Sequence, residues 1–185
     1  MHRSLLDSAT NPPSAPTATA LVVMGVAGCG KSSLGRACAE ALNWPLLEGD
    51  DYHSPESVAK MKAGIALTDA DRQGWLTRLG QLLAERPDGV VLTCSALRQR
   101  YRDRLRAARP GVHFAYLELD EPTARQRVAA RAGHFFSPSL VASQFATLES
   151  PVGEPGVLRL DATLPLERLR EQVLAWLHQP SETAA

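Results

Sequence analysis

The residues of this chain that could do chemistry begin with Gly25-Val26-Ala27-Gly28-Cys29-Gly30-Lys31-Ser32. Their spacing is that of a phosphate-binding loop, and the residue types in it have physical tasks. Glycines let successive backbone N–H groups turn inward around phosphate oxygens, in conformations that a side chain would obstruct. A helix starting at Lys31 would point its positive dipole end and its unpaired N–H groups at the same oxygens. Lys31 is expected to reach the β- and γ-phosphates of ATP, and the Ser32 hydroxyl to ligate Mg²⁺. With Ser33, these residues form the segment expected to hold the nucleotide.

A phosphate cradle alone does not separate a kinase from a GTP-driven switch. Guanine recognition would need Asn-Lys-x-Asp, which the sequence lacks. Asp71-Arg72-Gln73-Gly74 spells the D-x-x-G of such switches, but it falls within a predicted helix and reads as coincidence. A small-molecule or nucleotide kinase fits the length better.

Candidates for the acceptor side follow the predicted strands, because ligands of α/β sheets sit beyond the carboxyl ends of the strands. In Glu48-Gly49-Asp50-Asp51-Tyr52-His53, Asp50 could take the proton of an attacking hydroxyl, and His53 could hydrogen-bond a polyol. Turn capping is the competing use of such acidic residues. Arg98, after Cys94-Ser95-Ala96-Leu97, is placed to hold a carboxylate or phosphate with its planar fork. Arg100, Arg102, Arg104 and Arg106 read instead as the solvated face of a basic helix, and Cys94 as a small buried hydrophobe. Arg127 and Arg131 are four apart and share a helix face ahead of Gly133-His134-Phe135-Phe136. A lid over about residues 125–140 would bring those guanidinium groups onto the transferred phosphoryl group. The alternative is a solvated face followed by core phenylalanines.

The elements that must position these residues alternate in type. Ala20–Met24 reads as a buried strand, Lys31–Asn43 as a helix and Pro45–Leu47 as a short strand. Ser54 caps a helix with Pro55 at its first position, ending near Gly64. Asp69 is the expected cap of the next helix, in which Gly74 and Gly80 each cost about 1 kcal/mol. There follow a strand over Gly89–Ser95, a helix over Ala96–Ala108 and a strand over Val112–Leu119. Asp120 and Pro122 open a helix that stops at Gly133, and Ser137 and Pro138 start another. Val157–Leu160 is the last strand and Pro165–His178 the closing helix. Strands alternating with helices imply a parallel central sheet covered on both faces, a three-layer α/β/α fold.

Composition sets the outer bounds. The 185 residues fit one domain, placed at 20–179, between a Ser/Pro/Thr/Ala-rich extension over 1–19 and a tail over 180–185, both expected to be disordered. Lys plus Arg and Asp plus Glu are both 20, so no net field favours nucleic acid or an acidic membrane. No apolar run approaches a transmembrane length, and the N-terminus lacks the apolar core of a signal peptide. Cys29, Cys38 and Cys94 show no metal-ligand spacing, which suits reduced thiols in a cytoplasmic protein.

Several of these segments, taken in order, resemble the bacterial-type gluconokinases, small P-loop kinases related in fold to shikimate and nucleoside monophosphate kinases. The likeness spans about Leu21 to His178. It is carried by Gly25–Ser32, Glu48–His53, Lys60-Met61 with Gly64, Leu67–Leu76, Cys94–Asp103, Arg131–Phe136 and Gln144–Glu149. The resemblance implies transfer of the γ-phosphoryl group of ATP to the 6-hydroxyl of D-gluconate, with Mg²⁺, in a homodimer. It implies Lys31, Asp50 and Arg131 as catalytic residues, with Asp50 orienting or deprotonating the hydroxyl. His53, Lys60, Arg72, Arg98 and His134 would contact the sugar acid, Arg98 its carboxylate, and Arg127 would lie near adenine. Cys29 stands where relatives commonly have Ser or Thr. A kinase for another sugar acid, and a nucleotide-binding regulator with little catalysis, remain open as alternatives.

Overall fold

The computed structural model describes residues 18–131 and 136–179. The expected disordered ends therefore fall almost wholly outside the described residues, as does His134. Five parallel strands form one sheet: β1 (Ala20–Met24), β2 (Leu46–Glu48), β3 (Val90–Thr93), β4 (His113–Glu118) and β5 (Val157–Asp161), in the spatial order β2-β3-β1-β4-β5. Seven α-helices surround it among the described residues: α1 (Lys31–Leu42), α2 (Pro55–Lys62), α3 (Asp69–Ala84), α4 (Gln99–Ala108), α5 (Glu121–Ala130), α6 (Val141–Thr147) and α7 (Leu166–Leu177).

Strand alternation decides which layer each side chain joins. Leu21 and Val23 of β1, with Val91 and Ala115, face a core shared with α1, α5, α6 and α7 through Leu34, Cys38, Val128, Val141 and Val173. Ala20, Val22 and Met24, with Leu92 and Phe114, face α3 and α4 through Leu76, Leu79, Leu83 and Leu105. Because both faces are covered, β1 is buried along its whole length, as a continuous apolar run requires. The three-layer α/β/α expectation holds.

The elements match the predicted ones in order, with shifted ends. The cap of α3 is Thr68 rather than Asp69. Thr68 Oγ1 accepts from the N–H of Asp71 at 3.2 Å, and Asp71 Oδ2 accepts from the N–H of Thr68 at 2.8 Å. That reciprocal pair satisfies two of the free donors of the first turn, which Asp69 one position later could not do. Gly80 is no flaw in α3: a Cβ there would lie 2.8 Å from Ala108 Cβ, so the glycine lets α3 and α4 approach closely.

Helix α4 begins at Gln99, three residues later than expected. Ala96 takes a left-handed conformation (φ 45°), which breaks the helix on its amino side. Arg102 holds that turn: its Nη1 donates to the carbonyls of Ala96 (2.7 Å) and Leu97 (3.1 Å), its Nη2 to that of Glu149 (3.0 Å). This corrects the reading of Arg102 as solvated, since it is fully buried. Its Nε donates to Glu154 at 3.0 Å. Burial pushes the Glu154 carboxyl up, but hydrogen bonds from Arg102 and Arg106 outweigh it and hold the group below its usual range.

Candidate active site

The cleft opens at the carboxyl ends of β1 and β3, where strand order reverses around β1. Strand β1 delivers the chain to Gly25 and α1 carries it away at Lys31, so the loop between them is pinned by two buried elements. Gly25 has φ 145°, and a Cβ there would lie 2.7 Å from the Leu117 carbonyl oxygen, so glycine is required. Lys31 Nζ donates to the carbonyls of Gly25 (3.1 Å) and Val26 (3.0 Å), curling its ammonium over the loop. Gly28, Gly30, Lys31 and Ser32 line the cleft, with Ala27. Gly25, Val26 and Cys29 are buried behind it, where the Val26 and Cys29 side chains support the loop, and Ser33 is exposed on α1.

The opposite wall comes from the 3-10 turn Gly49–Tyr52 after β2 and from α3. Asp50 and His53 line the cleft, with Asp50 Oδ1 3.6 Å from His53 Nε2. The imidazole stacks on Trp75, with ring centroids 4.3 Å apart and planes 16° from parallel. Trp75 Nε1 donates to the Gly49 carbonyl at 2.8 Å, which fixes the turn and the stack together. His53 Nδ1 is buried without a hydrogen-bond partner among the described residues, as a group awaiting a ligand would be. Arg72, from α3, also lines the cleft. Its Nη1 donates to the Leu67 carbonyl (3.0 Å) and the Tyr101 hydroxyl (3.3 Å), and Tyr101 donates in turn to Asp69.

Other candidates lie outside the lining. Lys60 Nζ is taken by Asp71, 2.9 Å from Oδ1 and 3.0 Å from Oδ2. Arg98 lies 3.8 Å from Asp69 and 3.7 Å from Glu149. Arg127 donates to the carbonyls of Gly28 (3.4 Å) and Ala162 (3.1 Å), bracing the phosphate loop from behind. The expectation that Arg127 and Arg131 share a helix face fails: α5 stops at Ala130, and Arg131 is extended (φ −83°, ψ 111°). Arg131 lines the cleft on its own. His134, with residues 132–135, lies outside the described residues, and the lid expected over 125–140 therefore does too in part.

Two of the thiols, those of Cys38 and Cys94, are inert in this setting. Burial pushes Cys94 and Cys38 up to about 12, so both stay protonated at neutral pH. The reading of Cys94 as a small buried hydrophobe holds.

Mg²⁺ requires hard oxygen ligands and is commonly held by one or two protein oxygens plus phosphates and water. Ser32 Oγ opens on the cleft, and Glu48 Oε2 accepts from it at 3.0 Å while also accepting from Thr93 Oγ1 at 2.6 Å. A hydroxyl with a carboxylate fixed behind it fits that ion. Glu48, Trp75 and Gln144 lie in segments that carry the family likeness, but their roles, as support of Ser32, support of His53 and part of the cleft wall, were missed. Only the strand register of β2 on β3, which sets Glu48 against Thr93, could have suggested the first.

A family model described as an AAA domain matches residues 21–152. The thermosensitive gluconokinase of Escherichia coli K12 is 38% identical over 155 residues, covering 82% of this chain and 83% of that protein. The gluconokinase of Gluconobacter oxydans is 42% identical over 143 residues, covering 76% and 80%. The chain belongs to the gluconokinase family. Another gluconokinase, from Sinorhizobium meliloti 1021, has a crystal structure that matches with a TM-score of 0.81 at 44% identity, over 88% of this chain and 93% of that one. The shikimate kinase of Acinetobacter baumannii, at 16% identity and a TM-score of 0.60, shares the fold.

Proposed function

We propose that this protein is a gluconokinase, transferring the γ-phosphoryl group of ATP to the 6-hydroxyl of D-gluconate to give 6-phospho-D-gluconate. The observation that carries the reading is the pairing across one cleft of the phosphate loop with Asp50, His53 and Arg72, in a chain of this family. In the reaction a bond forms between O6 of gluconate and the γ-phosphorus, and the bond from that phosphorus to the β–γ bridging oxygen breaks. The O6 proton leaves to Asp50, which also orients the hydroxyl for in-line attack.

Lys31 and the loop N–H groups balance the charge on the β- and γ-phosphates, and Arg131 does so from the other wall. Ser32 would hold Mg²⁺, which when bound neutralises phosphate charge. His53, through its unpaired Nδ1, and Arg72, with its fork steadied by Tyr101, are the inner contacts to the polyol and its carboxylate. Arg98 and Lys60, already paired with acidic groups, are outer candidates for the same carboxylate, and Arg127 for the adenine side.

No helix among the described residues is long and apolar enough to cross a membrane. Free buried thiols suit a reducing compartment, and we place the enzyme in the cytoplasm as a homodimer, the state the family resemblance implies.

The test is ADP release from ATP and Mg²⁺ with gluconate, shikimate, nucleoside monophosphates and other sugar acids in parallel. Gluconate should give the highest kcat/KM, with the product phosphorylated at O6 by ³¹P NMR. Absence of gluconate-dependent ADP formation overturns the reading.

A further inference from the structure

Gln144 stands on α6, a helix that contributes nothing to the phosphate loop in sequence, yet its side chain reaches that loop. The Gln144 Oε1 accepts from the backbone N–H of Ala27 at 2.7 Å, across 117 residues of chain. An N–H can be met only by the oxygen of an amide, so the bond fixes which way the group is turned. What remains is Nε2, a pure donor, on a residue that lines the cleft with Lys31 and Asp50.

The place of Ala27 in the loop says which phosphate is concerned. Lys31, the residue that serves the β- and γ-phosphates, has its ammonium on the Gly25 and Val26 carbonyls. The Gly25–Ala27 stretch therefore runs beside the ammonium that serves the β- and γ-phosphates, and Ser32, which would hold Mg²⁺, follows at the start of α1. An amide anchored at Ala27 lies beside that ammonium, and its Nε2 donors, without a partner among the described residues, suit the equatorial oxygens of the γ-phosphoryl group, on which charge is spread in transfer.

We propose that Gln144 is a γ-phosphoryl-binding residue, its carbonyl holding the Ala27 N–H and its Nε2 donating to an oxygen of the group in transfer. The proposal rests on the ATP half of the proposed function and not on the identity of the acceptor. It also gives the Gln144–Glu149 segment a task, since the opposite end of that segment is tied to the β3–α4 turn: the Glu149 N–H donates to the Leu97 carbonyl at 2.8 Å and Glu149 Oε2 accepts from the Gln99 N–H at 2.7 Å.

Two substitutions separate this from a purely structural bond. Gln144→Glu keeps an acceptor for Ala27 but turns the donor into a negative charge facing phosphate. Binding of a non-hydrolysable ATP analogue and of ADP, each with Mg²⁺ and no acceptor present, is measured by calorimetry. The analogue should bind about tenfold more weakly or worse, and ADP, which lacks the γ group, within about twofold of the unsubstituted protein. Gln144→Met, which removes anchor and donors without adding charge, should show the same selective loss in smaller degree. Equal weakening of both nucleotides in either variant, or an analogue affinity unchanged in both, overturns the proposal. Because no acceptor enters the measurement, its failure is distinct from failure of the gluconate reading.

Discussion

At Asp50 the carboxylate lies 3.6 Å from His53 Nε2, with half of its side chain in water, while its partner ring is almost wholly buried against Trp75. Replacing it tests proton transfer without disturbing the donor site. Asp50→Asn should lower kcat by about 10²- to 10³-fold and leave the KM for ATP unchanged, checked by steady-state kinetics with both substrates varied. Full activity in that variant would show that the carboxylate neither orients nor deprotonates the hydroxyl. At this scale the phosphate loop was wholly legible in the sequence, because glycine, lysine and serine at fixed spacing dictate backbone geometry locally. Lys60 and Arg98 were not: whether a cation faces a ligand or an acidic neighbour depends on Asp71, Asp69 and Glu149, which reach them only through folding.

The cleft wall is held by the start of α3, where one carboxylate performs several tasks. Asp71 closes the cap with Thr68 and also receives Lys60 from α2, so it joins two helices. The hydrogen bond from Lys60, then that from the Thr68 backbone, hold its carboxyl down at about 2. A depressed folded pKa means that the stabilisation is complete above the ordinary carboxylate range, near pH 4, and is lost as pH falls towards 2. Thermal melting between pH 7 and pH 2.5 should show a fall in Tm below pH 4 that is smaller in Asp71→Asn. Identical profiles would remove Asp71 as a source of acid sensitivity. Thr68→Ala should cost about 1 kcal/mol in urea denaturation, with Asp69→Ala costing less than that through the helix terminus. The sequence put a cap within one residue of the right place; two adjacent cap-forming residues cannot be ranked until the turn before them is fixed.

Across the whole molecule, Arg102 and Glu154 connect the turn after β3 to the segment before β5. The guanidinium is fully buried and its donors go to three carbonyls and one carboxylate, so the left-handed Ala96 is held from behind. Removing one member of a buried pair strands the other, at a cost of about 3–5 kcal/mol. Arg102→Met should lower the urea midpoint accordingly, and an unchanged midpoint would mean that the pair contributes nothing to stability. The basic run from Arg98 to Arg109 hid this residue, since arginines at alternating positions read alike until a helix face is assigned.

The sequence by itself determined the order of strands and helices, the covered parallel sheet and the donor loop, because each depends on residues adjacent in the chain or repeating at the period of one element. The tertiary structure alone decided which charges meet the cleft. Arg72 and Arg131 face it, Arg127 braces the loop from behind, and Arg102 is buried in the frame. Gln144 reaches Ala27 only because β1 lies beside β4, with α5 and α6 folded over their carboxyl ends. Long-range packing fixes such pairings, and neither a local period nor a motif encodes the partner of a side chain more than a hundred residues away.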